Sequence, residues 1–193
     1  MIRTRLLNVM NRGSHWLPLM GLAFAAGLAW IWLSAVPSSA TNDDLISSPR
    51  EGFLAPDFTL EEIDGGTFTL SDLQGRVVVV NLWASWCPPC RAEMPALQEV
   101  YENNRERGLE ILAVNTTYQD REAEARAFVN ELGLSFPILL ERTGKMAKGY
   151  QVRAMPSTFF IDREGVIRKI ILGGPMSEAT LQTAIEELLE EMP

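Results

Sequence analysis

A chain of 193 residues with 47% hydrophobic and 22% charged residues has room for one ordinary globular domain plus a short extra segment, and is too apolar for long disorder. Its 17 basic and 25 acidic residues give a formal net charge of −8, which leaves no basic surface able to hold nucleic acid by phosphate neutralisation. The single histidine, His15, lies near the N-terminus, so Ser-His-Asp or Cys-His catalysis and any His-rich metal site are excluded from the main domain.

Residues 1–40 carry Arg3, Arg5 and Arg12 and no acid, so the rest holds 14 basic against 25 acidic residues, a balance of −11. Residues 16–36 are free of formal charge and as a helix would extend about 31 Å, enough to cross a bilayer. Trp16 at one end and Trp30 and Trp32 near the other fit an aromatic belt. The three arginines place residues 1–15 in the cytoplasm and the rest outside it. The same stretch also reads as a signal peptide, with Ser38-Ser39-Ala40 as a small-residue cleavage site; its length favours an uncleaved anchor. Either reading exports the following domain. Residues 37–52, rich in Ser, Asn, Asp and Pro, read as a flexible linker, with folded structure expected from Phe53 to the end of the chain.

Two short β-prone runs, 58–60 and 67–70, flank the turn signal Asp64-Gly65-Gly66 and predict a hairpin. Residues 77–83 are nearly continuous apolar and β-branched, as a central strand buried on both faces requires. Helical spacing of Met94, Leu97, Val100 and Tyr101 follows within 91–107, closed by Gly108. A second buried strand at 110–115 and an amphipathic helix at 121–132, ended by Gly133, continue a βαβα pattern. Then come a short strand at 136–140, a short helix at 143–150, two strands at 157–162 and 166–172, and a closing helix at 177–192. Helical crossovers imply parallel pairing of the first strands, while the tight turn Arg163-Glu164-Gly165 forces the last two antiparallel. The fold class is therefore α/β, a mixed sheet with helices on both faces.

The chemistry concentrates in Trp86-Cys87-Pro88-Pro89-Cys90, placed where the central strand ends and a helix starts. These are the two cysteines of the chain, and a spacing of two residues on a first helical turn keeps the sulfurs within bonding range. Backbone amides and the partial positive charge at the helix N-terminus stabilise a thiolate, so Cys87 is the expected nucleophile, with a lowered pKa. Cys90, one turn in and less exposed, is the expected resolving thiol. A structural disulfide closing so short a loop would add little stability, a zinc site lacks two further ligands, and haem attachment lacks a histidine at position 91, which is Arg91. The pair reads as a redox-active dithiol that needs no bound cofactor or metal, because it carries the electrons itself.

With these residues in place the sequence resembles the thioredoxin superfamily, and more narrowly its membrane-anchored ResA, TlpA and DsbE-like thiol-disulfide oxidoreductases. The resemblance covers residues 53–192 and rests on Ala55-Pro56-Asp57-Phe58, on Asn81-Leu82-Trp83-Ala84-Ser85-Trp86-Cys87-Pro88-Pro89-Cys90 and on Met155-Pro156-Ser157-Thr158. It implies a thioredoxin-like fold with an added N-terminal hairpin. It also implies a cis proline at Pro156 facing the dithiol, with Met155 offering its backbone to an extended substrate segment. Read from the residues alone, a proline just before a strand is equally a turn. Asn81 stands where ordinary thioredoxins have a buried Asp and cannot take a proton from Cys90. Glu93, three residues after Cys90 on the same helix face, is the candidate replacement; the competing reading is a solvated first-turn Glu that favours the helix dipole.

Trp86 is expected to shield the disulfide and contribute apolar contact to a partner, whereas Trp83 is equally suited to core packing. Gly173-Gly174 reads as a turn, and the Glu186-Glu187 and Glu190-Glu191 pairs as a solvated helix face. The resemblance implies reduction of disulfides in exported proteins, such as the Cys-x-x-Cys of apocytochrome c during cytochrome c maturation, with electrons from a transmembrane donor. Two other readings stay open: a peroxiredoxin-type thiol peroxidase, which shares Ala55-Pro56-Asp57-Phe58, and a redox-gated binding module using the Trp86 surface.

Overall fold

The computed structural model describes residues 16–33 and 47–190, which fall in two compact units. In the first, helix α1 (Trp16–Leu33) spans 18 residues without a charged side chain, about 27 Å of helix, and exposes Met20, Leu22, Phe24 and Leu28. Among the described residues no helix is both long and apolar enough to cross a membrane. The last three residues of the expected span 16–36, the expected cytoplasmic segment 1–15 and most of the expected linker lie outside the described residues.

The second unit is built on a seven-stranded sheet. Its strands are β1 (Thr59–Glu62), β2 (Thr67–Thr69), β3 (Val77–Trp83), β4 (Leu109–Asn115), β5 (Ile138–Leu140), β6 (Ser157–Ile161) and β7 (Ile167–Leu172), in the order β2-β1-β5-β4-β3-β6-β7. The helices are α2 (Pro88–Asn104), α3 (Glu122–Leu132), α4 (Lys145–Gly149) and α5 (Glu178–Glu190). β3 pairs parallel with β4, and β4 with β5, the arrangement their helical crossovers demand; β6 runs antiparallel to both β3 and β7. β1 and β2 pair antiparallel and join the sheet through β5.

Every residue of β3 is buried, and its alternation splits the core in two. Val77, Val79 and Trp83 meet Met94 and Leu97 of α2, Phe128 of α3 and Leu181 and Ile185 of α5. Val78, Val80 and Leu82 pack on the other face with Met146 of α4, Tyr150, Phe58 and Phe159. Covering both faces explains the Val-Val-Val-Val run, since neither side of the strand meets water.

The expected tether is corrected at its C-terminal end. Ser47 bridges Leu54, Gly52 N–H donates to the Ile167 carbonyl at 2.8 Å, and Glu51 Oε1 accepts from Ile170 N–H at 2.9 Å, so folded structure is in place before Phe53. The composition of this stretch resembles a linker, yet the Gly52 N–H and the Glu51 side chain are held by β7 and the Ser48 N–H by the Leu54 carbonyl. Gly108 and Gly133 close their helices in the left-handed conformation, at φ +100° and +62°, as the sequence implies.

Candidate active site

β3 delivers the chain to Cys87 across Ala84, Ser85 and Trp86, and Cys87 N–H donates to the Ala84 carbonyl at 3.2 Å. Cys87 is the N-cap of α2, with Pro88 and Pro89 next, where a missing N–H costs no intrahelical bond. Cys87 and Cys90 form a disulfide, with Cα atoms 5.3 Å apart. The Cys90 N–H donates to Cys87 Sγ at 3.3 Å, so this sulfur sits at the positive end of α2 against an amide donor. On reduction the same donor and helix end favour the thiolate over the thiol. Cys90 is wholly buried and Cys87 keeps 3% exposure, so Cys87 is the less sealed of the two.

The segment before the dithiol is fastened from outside. The Asp120 carboxylate accepts the Ser85 N–H and Oγ–H, each at 2.6 Å, and Asn115 Nδ2 at 2.8 Å. Burial raises the Asp120 carboxyl, but these donors, with the Arg121 N–H, outweigh it and hold the group below the usual carboxylate range. Trp86 is 55% exposed and ties its indole N–H to the Gln119 carbonyl at 3.0 Å. Arg91 lies over the Phe128 ring at 4.1 Å and donates to the Ser85 carbonyl at 3.4 Å. Trp83, by contrast, is fully buried against Phe128, which assigns it to the core.

Glu93 is fully buried, which overturns the solvated first-turn reading. Its Oε1 accepts from Asn81 Nδ2 at 2.8 Å and its Oε2 from Met176 N–H at 3.1 Å. Burial pushes the carboxyl above its ordinary range, and these two bonds offset only part of that. The acid can therefore hold a proton that an exposed Glu would release, as an acid-base partner to Cys90 requires. Asn81 Nδ2 also donates to Thr158 Oγ1 at 2.9 Å across the β3–β6 ladder, while Asn81 Oδ1 accepts no hydrogen bond among the described residues.

Met155 and Pro156 come to the same end of the sheet, because β6 begins at Ser157 opposite Leu82. Their peptide bond is cis, as the resemblance implies. Thr116 Oγ1 donates to Met155 Sδ at 3.5 Å and Thr116 N–H to the Trp83 carbonyl, which ties this loop to the end of β3. The Met155 side chain packs against the cluster that contains both cysteines.

Sequence reasoning misses Gly174, which it assigns to a plain turn. A Cβ there would lie 2.7 Å from Glu93 Oε2 and 2.7 Å from Pro156 Cγ, so only glycine lets this segment close over both groups. The neighbouring Gly173 N–H donates to the Pro156 carbonyl at 2.7 Å and Met176 N–H reaches Glu93, which makes residues 173–176 one wall of the site. The Gly-Gly-Pro run is the only signal, and it does not say what the backbone approaches. Asp120 is missed for the same reason, since its partner Ser85 lies 35 residues away.

A profile of the AhpC/TSA family matches residues 52–170. The thiol-disulfide oxidoreductase ResA of Oceanobacillus iheyensis is 40% identical over 143 residues, 72% of either chain. Among solved structures, a secreted Mycobacterium tuberculosis disulfide oxidoreductase homologous to DsbE superposes with a TM-score of 0.62 at 27% identity, covering 68% of this chain and 96% of that one. StoA from Bacillus subtilis gives 0.59 at 27% identity, covering 67% and 96%. A buried dithiol at a helix N-terminus, a thioredoxin-like sheet and these relatives agree: the chain belongs to the AhpC/TSA family and is a thiol-disulfide oxidoreductase of the ResA and DsbE-like kind.

Proposed function

We propose that this oxidoreductase works as a reductase outside the cytoplasm, held to the membrane by residues 16–36 and passing electrons to disulfides of exported proteins. Apocytochrome c, before haem attachment, is the substrate class implied by the family resemblance, and a transmembrane dithiol donor would return the pair to its reduced state. The observation that carries the reading is the asymmetry of the pair. Cys87 caps the positive end of α2 and is the less sealed sulfur, while Cys90 is wholly buried and has the buried acid Glu93 on its own helix face. The charge-free stretch 16–36 in the sequence, following three arginines, supports the anchor.

In the proposed cycle the Cys87 thiolate attacks a substrate disulfide, forming a Cys87–substrate bond and releasing one substrate thiolate. Cys90 then gives up its proton, attacks Cys87 Sγ and expels the second substrate thiolate, so two electrons leave the pair and the Cys87–Cys90 disulfide forms. Met155 offers backbone groups that make no hydrogen bond among the described residues, which suits an extended substrate segment laid beside Cys87. Trp86 adds an exposed apolar face next to it.

The test is the reduction potential of the full chain in detergent, equilibrated against dithiothreitol or glutathione buffers and read by Trp86 fluorescence. A value near the thioredoxin end, about −270 mV, is expected of a reductase; a value near about −120 mV would make the protein a disulfide donor and remove the cytochrome reading. Alkaline-washed membranes retaining the chain, with its domain open to added protease only from the outer face, are expected of the anchor. The AhpC/TSA match keeps the peroxidase as a second reading, and peroxide consumption by the reduced protein tests it.

A further inference from the structure

The segment that leads into Met155 and Pro156 carries a charge that the domain as a whole does not. Residues 142–161 hold Arg142, Lys145, Lys148 and Arg153 and no acidic residue, in a chain whose residues 41–193 have a balance of −11. Arg142 is committed to Glu61 and Glu122. Lys145, Lys148 and Arg153 are exposed, and their side chains make no ion pair or hydrogen bond among the described residues. Arg153 also lines a cleft of about 190 Å³ together with Tyr118, Gln119 and Met155. The Gln119 carbonyl holds the Trp86 indole and Met155 precedes the cis proline, so the cleft adjoins residues of the site.

We infer that this cleft is a subsite for an acidic side chain of the substrate protein, paired with Arg153, and that it selects disulfides flanked by Asp or Glu. The inference rests on the reading of the dithiol as an electron donor to protein disulfides. A segment extended along Met155 presents alternate side chains to one side. Arg153 is two residues from Met155 in the chain, which puts the paired acid about two positions from the residue beside Met155. A guanidinium offers two parallel N–H donors to a carboxylate, a geometry that lysine cannot match.

The experiment uses the full-length reduced protein and peptides that each contain one disulfide. The peptides differ only in carrying Glu, Gln or Lys two residues before or after the attacked cysteine. Second-order rate constants are read from Trp86 fluorescence at low and high ionic strength. The Glu peptides are expected to react about five- to tenfold faster than the Lys peptides at about 10 mM salt, a ratio that falls below about two at 0.5 M. Arg153→Glu is expected to reverse the order, with the Gln peptide as internal reference for each protein. Equal rates for the three peptides, or an order unchanged by Arg153→Glu, overturn the inference while leaving the reductase reading intact. If no peptide is reduced although a small aromatic disulfide oxidises the dithiol, the protein-substrate reading itself falls, and the subsite with it.

Discussion

Glu93 on α2 and Glu141 after β5 are both fully buried carboxylates, yet they titrate in opposite directions. Burial raises both. Glu141 collects four donors: the Thr143 N–H at 2.7 Å and its Oγ–H at 2.8 Å, the Gly144 N–H at 2.8 Å and the Met146 N–H at 2.6 Å. Those bonds outweigh desolvation and hold it below the usual range. Glu93 collects two, and desolvation wins. Neither carboxylate meets water, and the deeper seat of Glu93 together with its fewer donors separates a charge that organises a loop from an acid free to exchange a proton.

Removing each group tests that separation. Glu141→Ala leaves up to four donors at the start of α4 without an acceptor and should cost about 3 kcal/mol, read as a shift in urea midpoint. A cost below about 1 kcal/mol would break the contrast, because Glu141 would then not be organising its loop. Gly174→Ala is the next largest, at about 1–3 kcal/mol, since its Cβ must displace Glu93 or the Pro156 ring. Because both neighbours belong to the site, this variant should also slow exchange with disulfide substrates; a loss of stability with unchanged rates would confine residues 173–176 to packing. Glu93→Gln should slow the Cys90 step about tenfold and shift the pH dependence of Cys90 alkylation, with little change in urea midpoint near neutral pH. The small stability effect follows from Asn81, whose Oδ1 is free. Half a turn of the Asn81 amide would let that oxygen accept from the side-chain NH₂ introduced at position 93 and from the Thr158 hydroxyl, leaving Nδ2 unpaired where Oδ1 is now, while the introduced amide carbonyl keeps the Met176 N–H. Unchanged alkylation profiles would defeat the proton-relay role.

Much of this is legible from residue types. The Val77–Trp83 strand carries its burial on both faces in its composition, and the spacing of Cys87 and Cys90 on a first helical turn fixes what they can do. The hairpin, the parallel and antiparallel pairings and the left-handed glycines at 108 and 133 follow from turn chemistry and connection length. What stays hidden depends on distant pairings. Glu93 is readable as a candidate acid three residues after Cys90, but whether it is solvated or buried is not, because the backbone that seals it comes from Met176, 83 residues away. Residues 47–52 read as linker because their partners lie on β7, at Ile167 and Ile170. Pattern within a segment reports which face is apolar; it does not report which later segment covers it.

The smallest effect is also the one that isolates the two carboxylates by sign. From the ordinary value of 4.5 up to its raised folded value, Glu93 binds a proton in the folded chain that the unfolded chain has released. Its contribution to stability is therefore full below 4.5 and lost as pH rises through the folded value. Glu141 is the reverse, because its folded value lies below 4.5. Its contribution is full above the unfolded value and lost as pH falls through the folded one. Urea midpoints of the full chain, Glu93→Gln and Glu141→Gln, measured from about pH 2.5 to pH 9, should then diverge in opposite senses. The Glu93→Gln variant should gain on the parent as pH rises, whereas the Glu141→Gln deficit should shrink only on the acid side. Two gaps that move together would mean that donor count does not set these titrations, and that Glu93 differs from Glu141 in location alone.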